Sequence, residues 1–263
     1  MTRLVAPAIG AVVAALLAAG LGAPAQSETR ATTAAATQTP ASVQAAGETV
    51  LSRRVIGYSV RDHAIRAYEL GQRGADTTVV AIGAMHGNEQ GGSTILHELL
   101  DGPPVKGVHL WVIPRQNPDG ALRDRRHNAH GVDLNRNFPT KWRPLKGWYY
   151  AGPRPSSEPE TRAVQRFLNR IEPDYVVSFH SPLRGIDAYD SKDPRFARRL
   201  ARYLDLPIKE FDCGGVCHGT LTQWFNRNFA GACVTVELAS SPRWRYLHVR
   251  APRAFVRAVG GHF

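Results

Sequence analysis

Three apolar segments of the chain each lead into polar side chains of the kinds that bind metals or move protons. The segment at residues 77–84 runs into His86 and Glu89, and two later segments run into His180 and Glu237. In open α/β sheets, ligands gather beyond the carboxyl ends of the strands. If neighbouring strands deliver these residues, two imidazoles and two carboxylates converge at one edge of a sheet.

Two histidines and one glutamate suit a catalytic zinc site, because three protein ligands leave a coordination position open for water. His86 and Glu89 are three residues apart, so a single turn after a strand can present both of them to one ion. Zinc lowers the pKa of bound water to about 7. Glu237 could then accept the proton and pass it to a leaving amine. The spacing of His86 and Glu89 alone is common, so the prediction of one Zn²⁺ per chain depends on the wider set.

Other metal and nucleophile motifs are missing from the sequence. There is no Gly-x-Ser-x-Gly elbow, no phosphate-binding Gly-Lys-Ser/Thr loop and no Gly-x-Gly-x-x-Gly dinucleotide fingerprint. His127 and His130 have a spacing that could bind a metal, but they lie in a polar, arginine-rich loop. We expect both of them to be solvated.

Apolar patterning predicts strands alternating with helices, which indicates an α/β fold. We expect a single domain with a mixed, mostly parallel central sheet flanked by helices. Ser157 is expected to cap a helix that begins at Glu158. The predicted strands are 54–60, 65–70, 77–84, 108–113, 175–179 and 233–236, and the predicted helices are 93–100, 158–171, 193–204, 220–229 and 247–259.

The N-terminal segment has the pattern of a secretory signal peptide. Residues 1–25 carry a positive Arg3, an apolar run at 4–21 and a small-x-small cleavage pattern, Ala-Pro-Ala, at 23–25. An uncleaved membrane anchor is the alternative, because the run is nearly long enough to span a bilayer. Residues 26–49, rich in Ala, Thr, Ser and Gln, are expected to form a flexible linker, and residues 50–263 the catalytic domain. The expected location is therefore secreted, outside the cytoplasm.

Composition excludes several classes of protein and of partner. With 43% hydrophobic residues in 263, the chain is not wholly disordered, and three cysteines do not make a disulfide scaffold. The 33 Lys and Arg against 22 Asp and Glu give a net charge of +11, but no nucleic-acid motif accompanies it. We expect no nucleic acid partner, and either loose association with anionic cell-envelope polymers or a simple solvated basic surface.

Export makes a disulfide between Cys213 and Cys217 plausible, since thiols oxidise outside the cytoplasm. Cys233, in an apolar run, is then a buried free thiol. Pairing of Cys233 with either of the other two is the alternative that spacing leaves open.

Five short motifs in order resemble those of the zinc carboxypeptidase family, which is typified by carboxypeptidase A. Within it, the chain looks most like the bacterial murein peptide amidases, which share the DLNRNFP run, a Ser-Phe-His strand end and the SEPET stretch at 157–161. The five motifs are HGNE at 86–89, NPDG at 117–120, GVDLNRNF at 131–138, SFHS at 178–181 and TVE at 235–237.

The resemblance implies a role for each matching residue. Asp133 matches the carboxylate that receives the ring N–H of the first histidine ligand. Arg126 matches the arginine that polarises the scissile carbonyl, and Asn135 with Arg136 matches the pair that binds the terminal carboxylate of the substrate. Glu237 matches the catalytic base. Three residues match the zinc ligands: His86, Glu89 and His180.

One departure from the family concerns the loop before the catalytic glutamate. The family usually carries a tyrosine some twenty residues before it, whereas residues 212–218 contain none. His218 is a candidate to fill that space. The sequence does not identify the side-chain pocket or the oligomeric state.

The resemblance implies hydrolysis of murein-derived peptides, at the bond from γ-D-glutamate to diaminopimelate. Three other functions stay open: a general exported carboxypeptidase on protein-derived peptides, a desuccinylase- or aspartoacylase-like deacylase, and a module that binds wall peptides without cleaving them. The intact Glu237 argues against a pure binder. Export and the SEPET stretch argue against the deacylase.

Overall fold

A computed structural model of the protein describes residues 49–187, 191–211 and 213–263. The predicted signal peptide, and the predicted linker except its last residue, lie outside these ranges. The first strand begins at Val50. Within the described ranges, no helix has the length and apolar character needed to cross a membrane.

The described residues form one sheet of eight strands, in the order β1-β2-β4-β3-β5-β8-β6-β7. The central strands β4, β3, β5 and β8 run parallel to one another, while β1, β2 and β6 join by antiparallel pairs. This arrangement confirms the predicted α/β class with a mixed, mostly parallel sheet. The strands are Val50–Tyr58 (β1), Ala64–Gly71 (β2), Thr78–Ile82 (β3), His109–Ile113 (β4), Tyr175–His180 (β5), Leu183–Asp187 (β6), Ile208–Lys209 (β7) and Ala232–Ala239 (β8).

Helices cover both faces of this sheet. One apolar core joins the sheet to α1, α4 and α6, and a second core joins the opposite face to α3 and α5. Strands buried on both faces are apolar at most positions, which is why the central strands appear in the sequence as nearly continuous apolar runs. The helices are Gln90–Asp101 (α1), Pro118–Ala121 (α2), Pro159–Ile171 (α3), Pro194–Leu204 (α4), Leu221–Asn228 (α5) and Ala251–Ala258 (α6).

Side chains of β3 show how the two cores divide. Val79 and Ala81 belong to the core with α1, α4 and α6, whereas Val80 and Ile82 belong to the core with α3 and α5. Successive side chains of a strand point to opposite faces, so one short strand anchors both layers. This anchoring holds the carboxyl end of β3, and whatever follows it, at a defined place.

Two local predictions were wrong in ways that bear on the site. The side chain of Ser157 does not cap α3; Glu158 is the N-cap residue, the helix begins at Pro159, and Ser157 Oγ donates to Glu158 Oε1 over 2.6 Å. The strand expected to end before Glu237 continues to Ala239. It continues because β6, which the sequence patterns did not reveal, pairs with this extension in antiparallel fashion.

The C-terminal helical region also differs from the single helix expected at 247–259. A π-helical turn, Tyr246–Arg250, leads directly into α6. A π-helical segment is wider than an α-helix and is frequent at functional sites.

Candidate metal centre

The turn after β3 and the end of β5 bring three potential metal ligands together. Glu89 is the N-cap residue of α1, and His86 lies in the turn that joins β3 to this helix. His180 is the last residue of β5, the parallel neighbour of β3. Because adjacent parallel strands end at the same edge of a sheet, the three side chains meet there. All three are buried.

Nitrogen and oxygen atoms of these side chains face one another at short range. Nδ1 of His86 lies 2.8 Å from Glu89 Oε1 and 3.2 Å from Nδ1 of His180. Nδ1 of His180 lies 3.0 Å from Glu89 Oε2. Ligands at zinc-bonding distance from one tetrahedral ion are separated from each other by about 3.3 Å. The donor set and its spacing therefore fit zinc.

Asp133 orients the first histidine. Its fully buried carboxylate accepts a hydrogen bond from His86 Nε2 over 3.0 Å and another from the backbone N–H of Asn135 over 2.9 Å. With the proton of His86 directed to Asp133, the lone pair of Nδ1 is left facing Glu89 and His180. Such a carboxylate partner fixes the tautomer of a ligating histidine and raises its basicity. The arrangement is the one expected from the resemblance.

The other two ligand residues are held in the same manner. Ser178 Oγ lies 2.9 Å from Nε2 of His180, which leaves Nδ1 of that ring facing the cluster. The backbone N–H of Ser181 donates to Glu89 Oε2 over 3.2 Å. Each ligand side chain thus has a partner outside the cluster that limits its rotation.

The electrostatics of the cluster favour a cation. Burial alone opposes protonation of His86, but the carboxylates of Glu89 and Asp133 outweigh it and raise the pKa of His86 to about 8. Burial likewise opposes the ionised form of Glu89, and His86 and His180 reverse this, so the pKa of Glu89 lies well below its ordinary value. A pocket that stabilises positive charge to this extent is suited to a divalent metal ion.

Glu237 lies level with the ligand His180 on the next parallel strand. The two residues are register partners between β5 and β8. Glu237 is half-buried, and its Oε2 accepts a hydrogen bond from the backbone N–H of Leu183 over 3.2 Å. Burial raises the pKa of the Glu237 carboxyl, and the charge of Glu89 adds to this effect. A carboxylate with a raised pKa beside a metal site has the properties of a general base.

Arg126 reaches the cluster from a loop. Its Nε and Nη2 donate to Asp133 Oδ2 over 3.1 and 2.8 Å, and its Nη1 donates to Glu89 Oε1 over 3.3 Å. The side chain is only 13% exposed, so the guanidinium acts in a region of reduced dielectric. The structure therefore puts Arg126 where it can donate to a negative charge that develops beside the metal position.

Asn135 and Arg136 lie on the short turn that follows Asp133. Asn135 Oδ1 accepts from the backbone N–H of Leu221 over 3.0 Å, which ties this turn to the start of α5. Arg136 is buried, and burial lowers the pKa of its guanidinium. Its Nη1 donates to the carbonyl of Asn135 over 2.7 Å, while its Nε is buried without a partner among the described residues. A buried guanidinium with an unused donor suits an incoming carboxylate.

Two aromatic residues at the site were missed by the sequence patterns. The Tyr149 ring centroid lies 5.3 Å from Arg136 Cζ and 5.8 Å from Arg126 Cζ, and the Trp148 ring lies 5.9 Å from Arg126 Cζ. These are cation–π distances. Both aromatics lie on a single 3₁₀ turn, Gly147–Tyr149, which is too short to show a hydrophobic period in the sequence. Their only sequence signal is a run of aromatic residues, Trp-Tyr-Tyr at 148–150, in a polar segment.

A disulfide closes the loop that lacks the family tyrosine. Cys213 and Cys217 are bonded, with their Cα atoms 5.4 Å apart, and Cys233 is a buried free thiol. Gly219, with φ of 68°, then packs against the Asn135–Arg136 turn, where an added Cβ would meet the carbonyl oxygen of Arg136 at 2.5 Å. Only glycine allows the segment to lie this close to the turn.

The remaining histidines singled out from the sequence do not join the metal cluster. His130 is exposed, and its Nδ1 lies 2.8 Å from Glu158 Oε2. His127 Nε2 lies 2.7 Å from the carbonyl oxygen of Trp148. His218, considered for the place of the missing tyrosine, is half-buried, and its Nδ1 has no partner among the described residues.

A family model described as zinc carboxypeptidase matches residues 36–190 of this chain. Murein peptide amidase A of Escherichia coli strain K12 is 38% identical over 120 residues, which cover 40% of this chain and 48% of that protein. Murein peptide amidase A of Vibrio campbellii is 32% identical over 167 residues, covering 58% and 66%. The chain thus spans between about half and just under two thirds of these relatives.

Two solved structures are similar to this chain. The murein-tripeptide amidase of Escherichia coli O157 superposes with a TM-score of 0.66 and 25% identity, covering 82% of this chain and 95% of that one. Carboxypeptidase A of Helicoverpa armigera has a TM-score of 0.60 at 17% identity, covering 81% and 69%. At this level of sequence identity, the second similarity shows only that the two chains share a fold.

Proposed function

Because this chain belongs to the zinc carboxypeptidase family, we propose that it is an exported, zinc-dependent peptide hydrolase that acts on murein peptides. The bond proposed for cleavage joins γ-D-glutamate to diaminopimelate. The observation that carries the proposal is the convergence of His86, Glu89 and His180 beside Glu237, with two guanidinium groups at the same place. The likeness to murein peptide amidases in sequence and structure supports the choice of substrate.

His86, Glu89 and His180 would hold the zinc ion of this family, which would supply Lewis acidity and lower the pKa of an attacking water toward neutral pH. The carboxylate of Glu237 is proposed to accept a proton from the attacking water and to return it to the leaving amine. Its raised pKa brings it closer to the working pH than an ordinary glutamate, so it can both take and return a proton.

Arg126 is proposed to stabilise the negative charge that develops on the scissile carbonyl oxygen. Its hydrogen bond from Nη1 to Glu89, at 3.3 Å, is the longest of its three. Nη1 is therefore the donor that can most easily exchange its present partner for the carbonyl oxygen of the substrate. Loss of such a donor typically lowers the rate by on the order of 10²- to 10³-fold.

Arg136 and Asn135 are proposed to hold the terminal carboxylate of the substrate. The unpartnered Nε of Arg136 gives the carboxylate a donor that would otherwise stay unsatisfied in a buried position. The ring of Tyr149, which lies over both guanidinium groups, forms one wall of this pocket.

The test combines metal content with product release. The purified protein should contain about one zinc ion per chain and release diaminopimelate from L-Ala-γ-D-Glu-diaminopimelate, and a chelator should abolish this release. A peptide of the same length with an ordinary α-linked C-terminal residue is the matched control substrate.

The possible results of this test distinguish between the proposed function and its alternatives. Release from the α-linked peptide alone would replace the murein substrate with protein-derived peptides. Zinc without release from either peptide would keep the metal site but remove the proposed reaction. Absence of zinc binding would contradict the ligand assignment of His86, Glu89 and His180.

A further inference from the structure

A second concave site, which we call the arginine cavity, lies between α4, β6 and the C-terminal helical region. Its volume is about 980 Å³. Six arginines line it, and all six are exposed. They are Arg184, Arg243, Arg245, Arg250, Arg253 and Arg257.

The fold gathers these arginines from separate parts of the chain. Arg250, Arg253 and Arg257 follow one another at i, i+3 and i+7, the spacing of one helix face. The first of them ends the π-helical turn, and the other two belong to α6. Arg184 comes from β6 with a left-handed φ of 49°. A non-glycine residue in this region stores strain, which is commonest at functional sites.

Positive charge in the cavity is largely uncompensated. Among the residues that the structure describes, Asp205 is the only acidic one in the lining, and it pairs with Arg250 over 3.2 Å in a contact whose partners are 62% and 65% exposed. Among the described residues, none forms a side-chain ion pair or hydrogen bond with the other five arginines. Tyr246, also in the lining, donates its hydroxyl proton to the carbonyl of Leu204 over 2.8 Å, and this neutral phenol offsets none of the charge.

The arginine cavity adjoins the candidate metal centre through two strands. The backbone N–H of Leu183 donates to Glu237, and the next residue of β6 is Arg184. Ala239, which lines the cavity, lies two residues after Glu237 on β8 and pairs with Leu183. Two residues of a strand span about 7 Å. A ligand in the cavity would therefore lie close to the site of hydrolysis.

We propose that the arginine cavity binds a flexible linear polyanion, a chain with closely spaced phosphate or carboxylate groups. Clustered like charges repel one another in the free protein, and an anionic ligand removes this repulsion. The planar guanidinium fork matches both oxyanions in bidentate fashion. The volume accommodates several repeat units, and a recess admits a thin chain more readily than a flat bilayer surface.

For an enzyme of the proposed function, such a site would hold the protein on an anionic wall polymer beside its substrate. This role depends on the proposed function, whereas the binding itself does not. A binding assay can therefore fail or succeed independently of the hydrolysis assay.

The experiment measures fluorescence anisotropy of a dye-labelled glycerol phosphate oligomer with the purified protein. The double variant Arg253→Gln/Arg257→Gln removes two charges from the cavity. The control Arg195→Gln/Arg198→Gln removes two exposed charges from α4 that do not line it. We expect the cavity variant to bind at least about tenfold more weakly at low salt, and the control to change by less than about threefold. Poly-L-glutamate of equal charge, as a second probe, distinguishes carboxylate from phosphate ligands.

Several outcomes would overturn the proposal. Equal weakening by both double variants would mean a general charge effect without a site. Binding to phosphatidylglycerol vesicles but to neither soluble polymer would assign the arginines to a membrane surface instead. The variant Arg243→Gln/Arg245→Gln repeats the test on the other side of the cavity. The Glu237→Gln variant should bind the oligomer with unchanged affinity, whatever its activity.

Discussion

The candidate metal centre and the arginine cavity arrange charge in opposite ways although they adjoin each other. In the metal centre, carboxylates and imidazoles are buried and each is paired at 2.8–3.2 Å. In the arginine cavity, the charges are exposed and mostly positive, and within the described part of the chain they form a single ion pair, between Arg250 and Asp205. Buried paired groups make a rigid site for one small cation, whereas hydrated cations of one sign suit an extended anionic ligand that is bound weakly and exchanged readily.

Removal of the proposed catalytic base, Glu237, should distinguish the two sites most strongly. We expect Glu237→Gln to lower kcat by on the order of 10²- to 10⁴-fold, because the proton acceptor is lost. Zinc content should stay the same. Because folding raises the pKa of Glu237, its ionised form lowers the free energy of unfolding at pH 7. A neutral glutamine removes this cost, so the Tm of the variant should not fall. Turnover of the tripeptide measures kcat, metal analysis measures zinc content, and calorimetry measures the Tm. The control is Arg253→Gln/Arg257→Gln, which should retain full turnover. Undiminished turnover by Glu237→Gln would remove this residue from the mechanism.

The second largest difference between the two sites should be their response to salt concentration. If about five phosphate contacts form, an increase from about 50 to 200 mM salt weakens binding of the oligomer by on the order of 10²-fold. The kcat/KM for the tripeptide should change by less than about threefold, because buried charges are screened less. Anisotropy and rate measurements in the same buffers give both numbers. A parallel fall of the two would show that the contrast between the sites is wrong.

The pairing of charges in the metal centre can be disrupted at Asp133, the carboxylate that accepts a hydrogen bond from His86. Asp133→Asn removes the charge that His86 Nε2 and Arg126 share, and we expect zinc affinity to fall by about 10- to 100-fold. Ser178→Ala, which removes the neutral partner of His180, should have a smaller effect. Competition with a chromophoric chelator measures both affinities. Equal effects of the two variants would mean that the charge of Asp133 is unimportant.

A smaller effect is expected at the aromatic wall. Tyr149→Ala removes the ring that faces Arg126 and Arg136, and loss of this cation–π contact should raise KM by about fivefold with little change in kcat. Tyr149→Phe retains the ring and should behave like the native protein. Steady-state kinetics with the tripeptide test this pair. A large loss with Tyr149→Phe would point instead to a role for the hydroxyl group.

The smallest effect concerns pH. A general base must be ionised, so activity is lost as pH falls through its pKa, and burial raises the pKa of Glu237. The acidic limb of kcat/KM should therefore lie above the ordinary glutamate value of about 4.3. A pH profile of tripeptide hydrolysis measures it, and the residual activity of Glu237→Gln should lack the same limb. A limb at or below the ordinary value would contradict the assignment.

Strand ends were the part of the site that sequence patterns predicted best. His86, Glu89 and His180 follow apolar runs, and parallel strands deliver such residues to one edge. Glu237 was placed correctly near them, but its strand continues to Ala239. The pairing with β6 that extends this strand joins residues 50 to 56 positions apart and has no local signal.

Features made by loops were harder to predict. Tyr149 contacts two arginines of the site, yet nothing in its neighbourhood has a period that would place it. The prediction that Ser157 caps α3 was wrong because local preference favours serine over glutamate at an N-cap. The start of this helix is instead set by contacts outside it, such as the hydrogen bond from the backbone N–H of Glu158 to Asn137 Oδ1.

The sequence by itself determined the α/β class, the ordered motifs of a zinc carboxypeptidase and the identity of the residues offered to a metal. Side-chain type and strand periodicity are local properties, so they can be deduced without coordinates. The tertiary structure alone decided that Glu237 lies level with His180 and that Tyr149 covers the guanidinium groups. It also decided that Arg184 joins five arginines that lie 59 to 73 residues further along the chain. These are distances between remote segments, and they are set by how the sheet orders its strands and how helices pack on it.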